Sequence, residues 1–302
     1  MTTRTHAAVV VGVDGSEQSL LALDYAAGEA ARRHQPLRIV MAFLWPLFVP
    51  AMGATGMPLD DRVIEAGQGM LDDAAGRMRK RHPGLDISTE VILGSPGGVL
   101  VDESGQASLV VVGNRGRGGF ASLLAGSVAT QLATHAVSPV IVVRPGTDHA
   151  AATTHPVVVG VDGFERTEAA LEFAFEEASS RGVSLTAVHV WAEPPRSGSD
   201  ELKPVAYDYD EARKDAARLL AESLAGFQEK YPDVPVFREL ICGLDPSHHL
   251  LQASEEAGLV VVGSRGRGEL SGLVLGSLGQ KLIHRAKCPV AVVRGVGGSD
   301  HE

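Results

Sequence analysis

The amino-acid sequence contains two copies of one long pattern. "VVVGVDGSEQSLLALDYAAGEAARRH" at residues 9–34 returns as "VVVGVDGFERTEAALEFAFEEASSRG" at residues 157–182. "VVGNRGRGGFASLLAGS" at 111–127 returns as "VVGSRGRGELSGLVLGS" at 261–277. Because the same motifs recur in the same order, the chain is predicted to be a duplication of a whole domain.

The two copies are predicted to be separate domains joined by a short linker. We place the first domain at residues 1–147 and the second at 154–296. Between them, "RPGTDHAAATTHP" at residues 144–156 is small and polar with a proline near each end, which is typical of an exposed linker.

Each copy alternates short β-branched runs with longer amphipathic stretches. Runs such as "LVVVG" are apolar on both faces, which is typical of strands buried in a parallel sheet. The β-α alternation predicts an α/β fold with a doubly wound, five-stranded parallel sheet in each copy. The predicted strands are 7–13, 37–43, 86–93, 108–113 and 139–144, then 156–161, 184–191, 234–241, 258–263 and 289–294. The predicted helices of the first copy are 17–34, 60–81, 96–106 and 127–136.

Two glycine-rich segments should meet at one edge of each sheet, where ligands bind beyond the carboxyl ends of parallel strands. The first strand runs into Val-Asp-Gly and the fourth into Gly-x-x-Gly. We expect Gly113 to stand where a Cβ would block a ligand, and Gly116 and Gly118 to adopt positive φ so that N–H groups converge on an anion. Gly126-Ser127 should then open a helix whose N-terminus completes a phosphate clamp.

Charged side chains near these loops allow more than one interpretation. Asp14 and Asp162 could cap a helix or form a turn, but their place at a strand end facing the loop favours a ribose-binding or metal-linked role. Arginines follow the first glycine of each loop, and at least one per loop should turn toward phosphate.

Composition narrows the classes of partner. The net charge is −10, with 37 acidic against 27 basic side chains, which argues against a non-specific nucleic-acid binder. Two cysteines fit a reducing compartment, and no apolar stretch is long enough for a membrane span or a signal peptide. We therefore expect a cytoplasmic protein whose partners do not include nucleic acid or membrane.

The motifs together resemble the ATP-binding branch of the universal stress protein family in its tandem form. That resemblance implies two Rossmann-like, adenine nucleotide alpha hydrolase-like domains and two bound ATP molecules, with Mg²⁺ or Mn²⁺ held mainly by the phosphates. It places Asp14 and Asp162 near adenosine, the backbone of Ala42 and Val190 against adenine, and the triphosphate on the glycine loops. Phe164 replaces Ser16 in the second copy, which weakens the case for that site.

The predicted nucleotide-binding residues come from both copies, and no catalytic or metal-ligating residue is predicted. They are Gly12, Asp14, Ala42, Gly113, Asn114, Arg115, Gly116, Arg117, Gly118, Gly126, Ser127, Val128, Gly160, Asp162, Val190, Gly263, Ser264, Arg265, Gly266, Arg267, Gly268, Gly276, Ser277 and Leu278.

The leading functional hypothesis is an ATP-binding regulatory protein of the stress-response type, acting through an unknown protein partner with little or no turnover. A slow ATPase or a nucleotidyl-transferring enzyme is the alternative, although neither loop carries an evident general base or arginine finger. The repeats should pair as a pseudo-dimer through their last strands, with Val142 and Val292 near the contact. Homodimerisation of the chain is left open.

Overall fold

A computed structural model describes residues 7–44, 61–117, 126–146, 151–163, 167–192, 209–264 and 275–295. The first repeat contains β1 (Val9–Gly12), α1 (Glu17–Arg33), β2 (Leu37–Phe43), α2 (Asp61–Arg81), β3 (Ile87–Leu93), α3 (Pro96–Ser104), β4 (Leu109–Gly113), α4 (Ser127–His135) and β5 (Val140–Val143). After α5 (Ala151–Thr154), the second contains β6 (Val157–Gly160), α6 (Thr167–Arg181), β7 (Leu185–Trp191), α7 (Tyr209–Lys230), β8 (Val236–Cys242), α8 (Pro246–Ala253), β9 (Leu259–Gly263), α9 (Ser277–Arg285) and β10 (Val290–Val293).

All ten of these strands form one sheet in the order β3-β2-β1-β4-β5-β10-β9-β6-β7-β8. Pairing is parallel within each repeat and antiparallel between β5 and β10. Val142 lies opposite Val290, and Val292 lies opposite Val140. The α/β class, the five parallel strands of each repeat and the predicted contact at Val142 and Val292 are therefore confirmed.

Part of the predicted linker is helical. Its residues 151–154 form α5, a single helical turn, and residues 153–155 are exposed, as expected of a linker. The domain limits at 147 and 154 stay predictions, because residues 147–150 lie outside the described range.

The inner strands β1, β4, β5, β6, β9 and β10 are valine-rich and almost completely buried, because helices cover both faces of the sheet, whereas the edge strands β3 and β8 are much more exposed. One apolar cluster includes α1, α2, α6 and α7, and the other includes α3, α4, α8 and α9. This doubly wound arrangement leaves the carboxyl ends of the strands open to loops.

Local signals at the start of α1 hold the first loop in place. Gly15 has φ of +79°, a conformation that favours glycine, and Gly163 repeats it at +81° in the second repeat. Ser16 caps α1, with its Oγ accepting a hydrogen bond from the Ser19 N–H at 3.2 Å. The Val-Asp-Gly segment is therefore a fixed turn between β1 and α1.

The repeats also meet through α1 and α6, where charged side chains are buried. The side chains of Glu29, Glu177 and Arg181 have no exposed surface. Arg181 contacts both carboxylates and donates to the Tyr25 hydroxyl at 2.7 Å, and Arg33 also pairs with Glu177. The junction of the repeats thus contains an ionic cluster beneath the antiparallel strand pair.

Candidate functional site

A cavity of about 310 Å³ opens at the carboxyl ends of β1, β2 and β4 in the first repeat. This volume lies at the lower end of the range for small-molecule sites. Most of the predicted residues described in this repeat line it. They are Gly12, Asp14, Ala42, Gly113, Arg115, Gly116, Gly126, Ser127 and Val128.

The Asp14 carboxylate joins the end of β1 to the glycine loop. Its Oδ1 accepts from the N–H of Ser16 at 2.9 Å and from the Ser16 hydroxyl at 2.6 Å. Its Oδ2 accepts from the Arg117 N–H at 2.7 Å. Burial raises the pKa of Asp14, but these hydrogen bonds lower it more, so the pKa lies below its usual value. The carboxylate is therefore charged at neutral pH.

The loop after β4 is tied to the start of α4. The Asn114 N–H donates to the Val143 carbonyl at 2.8 Å, and the Gly126 N–H donates to the Asn114 carbonyl at 2.8 Å. No side chain caps α4 at Gly126. Because the first N–H groups of a helix have no partner within the helix, this terminus is suited to an anion.

Two polar atoms at this loop are buried without a partner among the described residues, Asn114 Oδ1 and Arg115 Nε. Arg115 lines the cavity, and its positive charge repels that of Arg144, which follows β5. Burial lowers the pKa of Arg144, and Arg115 lowers it further. The positive charge around α4 therefore favours an anionic ligand.

Two predictions about the glycines are wrong. A Cβ on Gly113 would lie 2.8 Å from the Gln18 carbonyl oxygen of α1, so glycine is needed there for helix packing. Gly116 does not have positive φ; its Cβ would instead lie 2.4 Å from Asp14 Oδ2. Gly116 therefore makes room for the carboxylate, while Gly118 lies outside the described residues.

The remaining predicted residues of the first repeat lie beside the cavity. The Asn114 side chain is buried, with 3 % of the residue exposed. Arg117 is exposed and reaches the site through its backbone N–H, which binds Asp14. Neither belongs to the cavity lining.

The second repeat reproduces the framework of the site. The Ser264 N–H donates to the Val293 carbonyl at 2.8 Å, and the Gly276 N–H donates to the Ser264 carbonyl at 3.2 Å. Gly276 precedes α9 without a side-chain cap, as Gly126 precedes α4. Asp162 accepts a hydrogen bond from the Thr167 hydroxyl.

The other predicted residues of the second repeat divide into two groups. Gly160 and Gly263 end β6 and β9, and Ser277 and Leu278 begin α9. Phe164 and the loop residues Arg265, Gly266, Arg267 and Gly268 lie outside the described residues, as do 45–60 and most of 192–209, the predicted loops after the second strand of each repeat.

The position that the family resemblance places against adenine differs between the repeats. Val190 is the sixth residue of β7, where Ala42 is the sixth residue of β2. Ala42 is half-buried and lines the cavity, whereas Val190 is buried with only 6 % exposed. Val190 thus carries two carbon atoms more than Ala42 at this position and is more deeply buried.

Sequence reasoning missed the apolar floor of the cavity and the conformation of the turn. Val40, Leu100 and Val112 form that floor; Val112 lies next to the end of β4, but Val40 and Leu100 are in the middle of β2 and α3, where no sequence pattern indicates a site. Gly15 and Gly163 were seen only as part of a motif, although both have positive φ.

The residues described contain no group of three or more His, Cys, Asp or Glu side chains suited to a metal ion. His189 is buried, with its Nδ1 2.7 Å from the Val161 carbonyl oxygen. Across the same described ranges, no helix is long and apolar enough to cross a membrane.

The matching family profile, two related proteins and a solved structure of similar fold all belong to one family. The sequence profile of the universal stress protein family matches residues 7–144 and again 153–294. Universal stress protein Rv2005c of Mycobacterium tuberculosis is 38% identical over 300 residues, covering 95% of this chain and 96% of that protein. A universal stress protein of Mycolicibacterium smegmatis is 38% identical over 300 residues, covering 96% and 98%. The crystal structure of a universal stress protein from Archaeoglobus fulgidus shares the fold with a TM-score of 0.68 and 20% identity, covering 95% and 98%.

Proposed function

The chain belongs to the universal stress protein family, and from that premise we propose that it is an ATP-binding regulatory protein of the stress response. Nucleotide occupancy would bias its conformation or its affinity for a protein partner. The observation that carries this proposal is the cavity at the strand ends of the first repeat, which combines an apolar floor with the uncapped N-terminus of α4.

Different residues of the first repeat would bind the base, the phosphates and the ribose of the nucleotide. Val40, Ala42 and Leu100 offer an apolar surface for the base, at the closed end of the cavity. The N–H groups at the start of α4 and the guanidinium of Arg115 would bind phosphate oxygens. Asp14 lies between these two parts, where a charged carboxylate suits the ribose hydroxyls.

We extend the proposal to two ATP molecules per chain, with unequal affinities. The second repeat keeps the hydrogen bonds that tie its loop to α9, which supports a second site. Val190 is larger and more deeply buried than Ala42, so the second repeat should bind ATP more weakly. Mg²⁺ or Mn²⁺ would be held mainly by the phosphates, because Asp14 is already committed to three hydrogen bonds.

Turnover is expected to be slow at most. Hydrolysis needs a group that orients the attacking water, and the carboxylate that lines the cavity holds the loop instead. Phosphate should therefore be released far more slowly than the turnover of ~10 per second that is typical of enzymes. Release at several per second by protein free of contaminating ATPases would favour the enzyme alternative.

The identity of the ligand is tested by mass spectrometry of small molecules released from freshly purified protein. ATP is the expected ligand, at more than one equivalent when the protein is purified in its presence. A different nucleotide would correct the proposal, and the absence of any nucleotide under saturating conditions would refute it.

A further inference from the structure

A groove of about 610 Å³ lies between α6 and α7, on the face of the sheet opposite to α8 and α9. Leu171 and Phe227 line its apolar part, and Glu168, Glu172 and Glu222 supply carboxylates. One carboxylate is neutralised by a lysine, since Glu172 Oε1 lies 2.7 Å from Lys230 Nζ. The groove therefore combines apolar surface with excess negative charge.

The first repeat provides an internal comparison, because its corresponding helix pair differs from α6 and α7 in sequence and in burial. Met70 packs under Gly15 as Leu219 packs under Gly163, which aligns α2 with α7. Two turns further along, α2 carries Arg77 where α7 carries Gly226.

Burial and charge both differ at the aligned positions. Ala74 and Met78 of α2 are buried, with 1% and 3% exposed, whereas their counterparts Ser223 and Phe227 are partly exposed. On the neighbouring helix, Glu168 stands where the first repeat has Leu20. The helix pair of the second repeat therefore has a glycine and an added carboxylate where the first repeat has Arg77 and Leu20.

Among the residues that the structure describes, Glu168 and Glu222 have little neutralising charge nearby. Glu168 forms no ion pair with the residues described, and Glu222 approaches Arg218 only at 4.0 Å. An exposed pair at that separation contributes little. Both carboxylates are therefore available to a cation from outside.

We propose that the α6/α7 groove is a docking surface for a basic segment of a protein partner. An arginine of that segment would lay its aliphatic stem and guanidinium against the partly exposed Phe227 ring, and would pair with Glu168 or Glu222. Charge complementarity selects this occupant, because three glutamates and a single lysine line the groove beside the partly exposed Phe227. The groove is separate from the nucleotide cavity of the first repeat.

The test uses the full chain and a fluorescein-labelled peptide of alternating arginine and leucine, followed by fluorescence anisotropy at physiological salt. Wild type should bind this peptide and not the matching glutamate–leucine peptide. Glu168→Gln combined with Glu222→Gln should weaken binding about tenfold, since each exposed charge contact contributes a fraction of that. Gly226→Arg should abolish binding, because it places a long cationic side chain of the protein itself in the groove that Gly226 lines.

Asp73→Asn is the matched control, because Asp73 on α2 aligns with Glu222 on α7 and lies away from the groove. It should leave peptide binding unchanged. Gly226→Arg should fold normally, because a Cβ at Gly226 meets no atom within 4 Å. The proposal is overturned if wild type fails to bind the basic peptide, if Asp73→Asn weakens it as much as the double variant, or if Gly226→Arg binds as wild type does.

Discussion

At the residue scale, Asp14 has the central role in the first site. It accepts hydrogen bonds from Ser16 and from the Arg117 N–H, and so connects the turn after β1 to the glycine loop after β4. Gly116 has to be small because the same carboxylate lies where its Cβ would be. Asp14 and Gly116 are therefore required together, because the carboxylate occupies the space that a larger residue at position 116 would fill.

The pH dependence of stability tests this contact. The pKa of Asp14 in the folded chain lies below the ordinary value of 3.8, so its stabilisation is complete above the unfolded pKa and is lost as pH falls through the folded pKa. Asp14→Asn should therefore lower the free energy of unfolding by a constant amount above about pH 5, and by less at more acidic pH. Urea titrations at several pH values measure the difference. A difference that grows on acidification would contradict the assignment.

In the second repeat, a different side chain binds the corresponding aspartate. Thr167 donates to Asp162 there, at the position of Ser19 in the first repeat. The sequence placed both aspartates correctly at strand ends, because a strand followed by Val-Asp-Gly is a local pattern. It could not show that the Asp14 carboxylate binds the glycine loop, since the Arg117 N–H is distant along the chain and its position depends on tertiary packing.

At the element scale, the strands follow almost directly from the sequence. All ten strands were predicted to within a few residues. The inner strands show continuous valine-rich runs because they are buried on both faces, and the edge strands β3 and β8 show mixed β-branched and polar runs. The role of Gly113 was mistaken for a different reason. A local pattern cannot reveal that α1 crosses β4 so closely that a Cβ would meet the Gln18 backbone.

Substitution of Gly113 tests the close approach of α1 to β4. Gly113→Ala should lower the free energy of unfolding by about 1–3 kcal/mol, the usual cost of overpacking, because the obstructing atoms belong to backbone. Gly76→Ala is the control, since a Cβ there meets nothing within 4 Å and alanine favours the helix by about 0.5–1 kcal/mol. Thermal or urea unfolding compares them. If Gly113→Ala lost only nucleotide affinity and kept full stability, the original ligand-blocking interpretation would be restored.

At the scale of the whole molecule, the duplication makes one ten-stranded sheet with two packed helices across the junction. The strand contact was predictable because each repeat ends on an apolar strand that needs a partner. The charged cluster between α1 and α6 was not, because Glu29 and Arg33 have the spacing of an ordinary exposed ion pair. Their burial depends on how the repeats are oriented.

Removing one member of that cluster should have a large effect. Arg181→Met would leave Glu29 and Glu177 buried without their shared cation, at a cost of about 3–5 kcal/mol in unfolding free energy. Arg218→Met is the control, since both partners of its ion pair are exposed, and it should be nearly neutral. Chemical unfolding of both variants measures the contrast. Equal effects would mean that the cluster contributes no more than a surface pair.

The most direct test of the whole account is isothermal titration of ATP into nucleotide-stripped chain, comparing wild type with an exchange of residues between the repeats. Wild type should bind two ATP molecules with unequal affinity. Ala42→Val should weaken the tighter site about tenfold, the usual effect of added methyl groups in a filled pocket, and Val190→Ala should strengthen the weaker one. A single binding event in wild type, or two variants that both titrate as wild type does, would contradict the claim that ATP binds at the strand ends of both repeats.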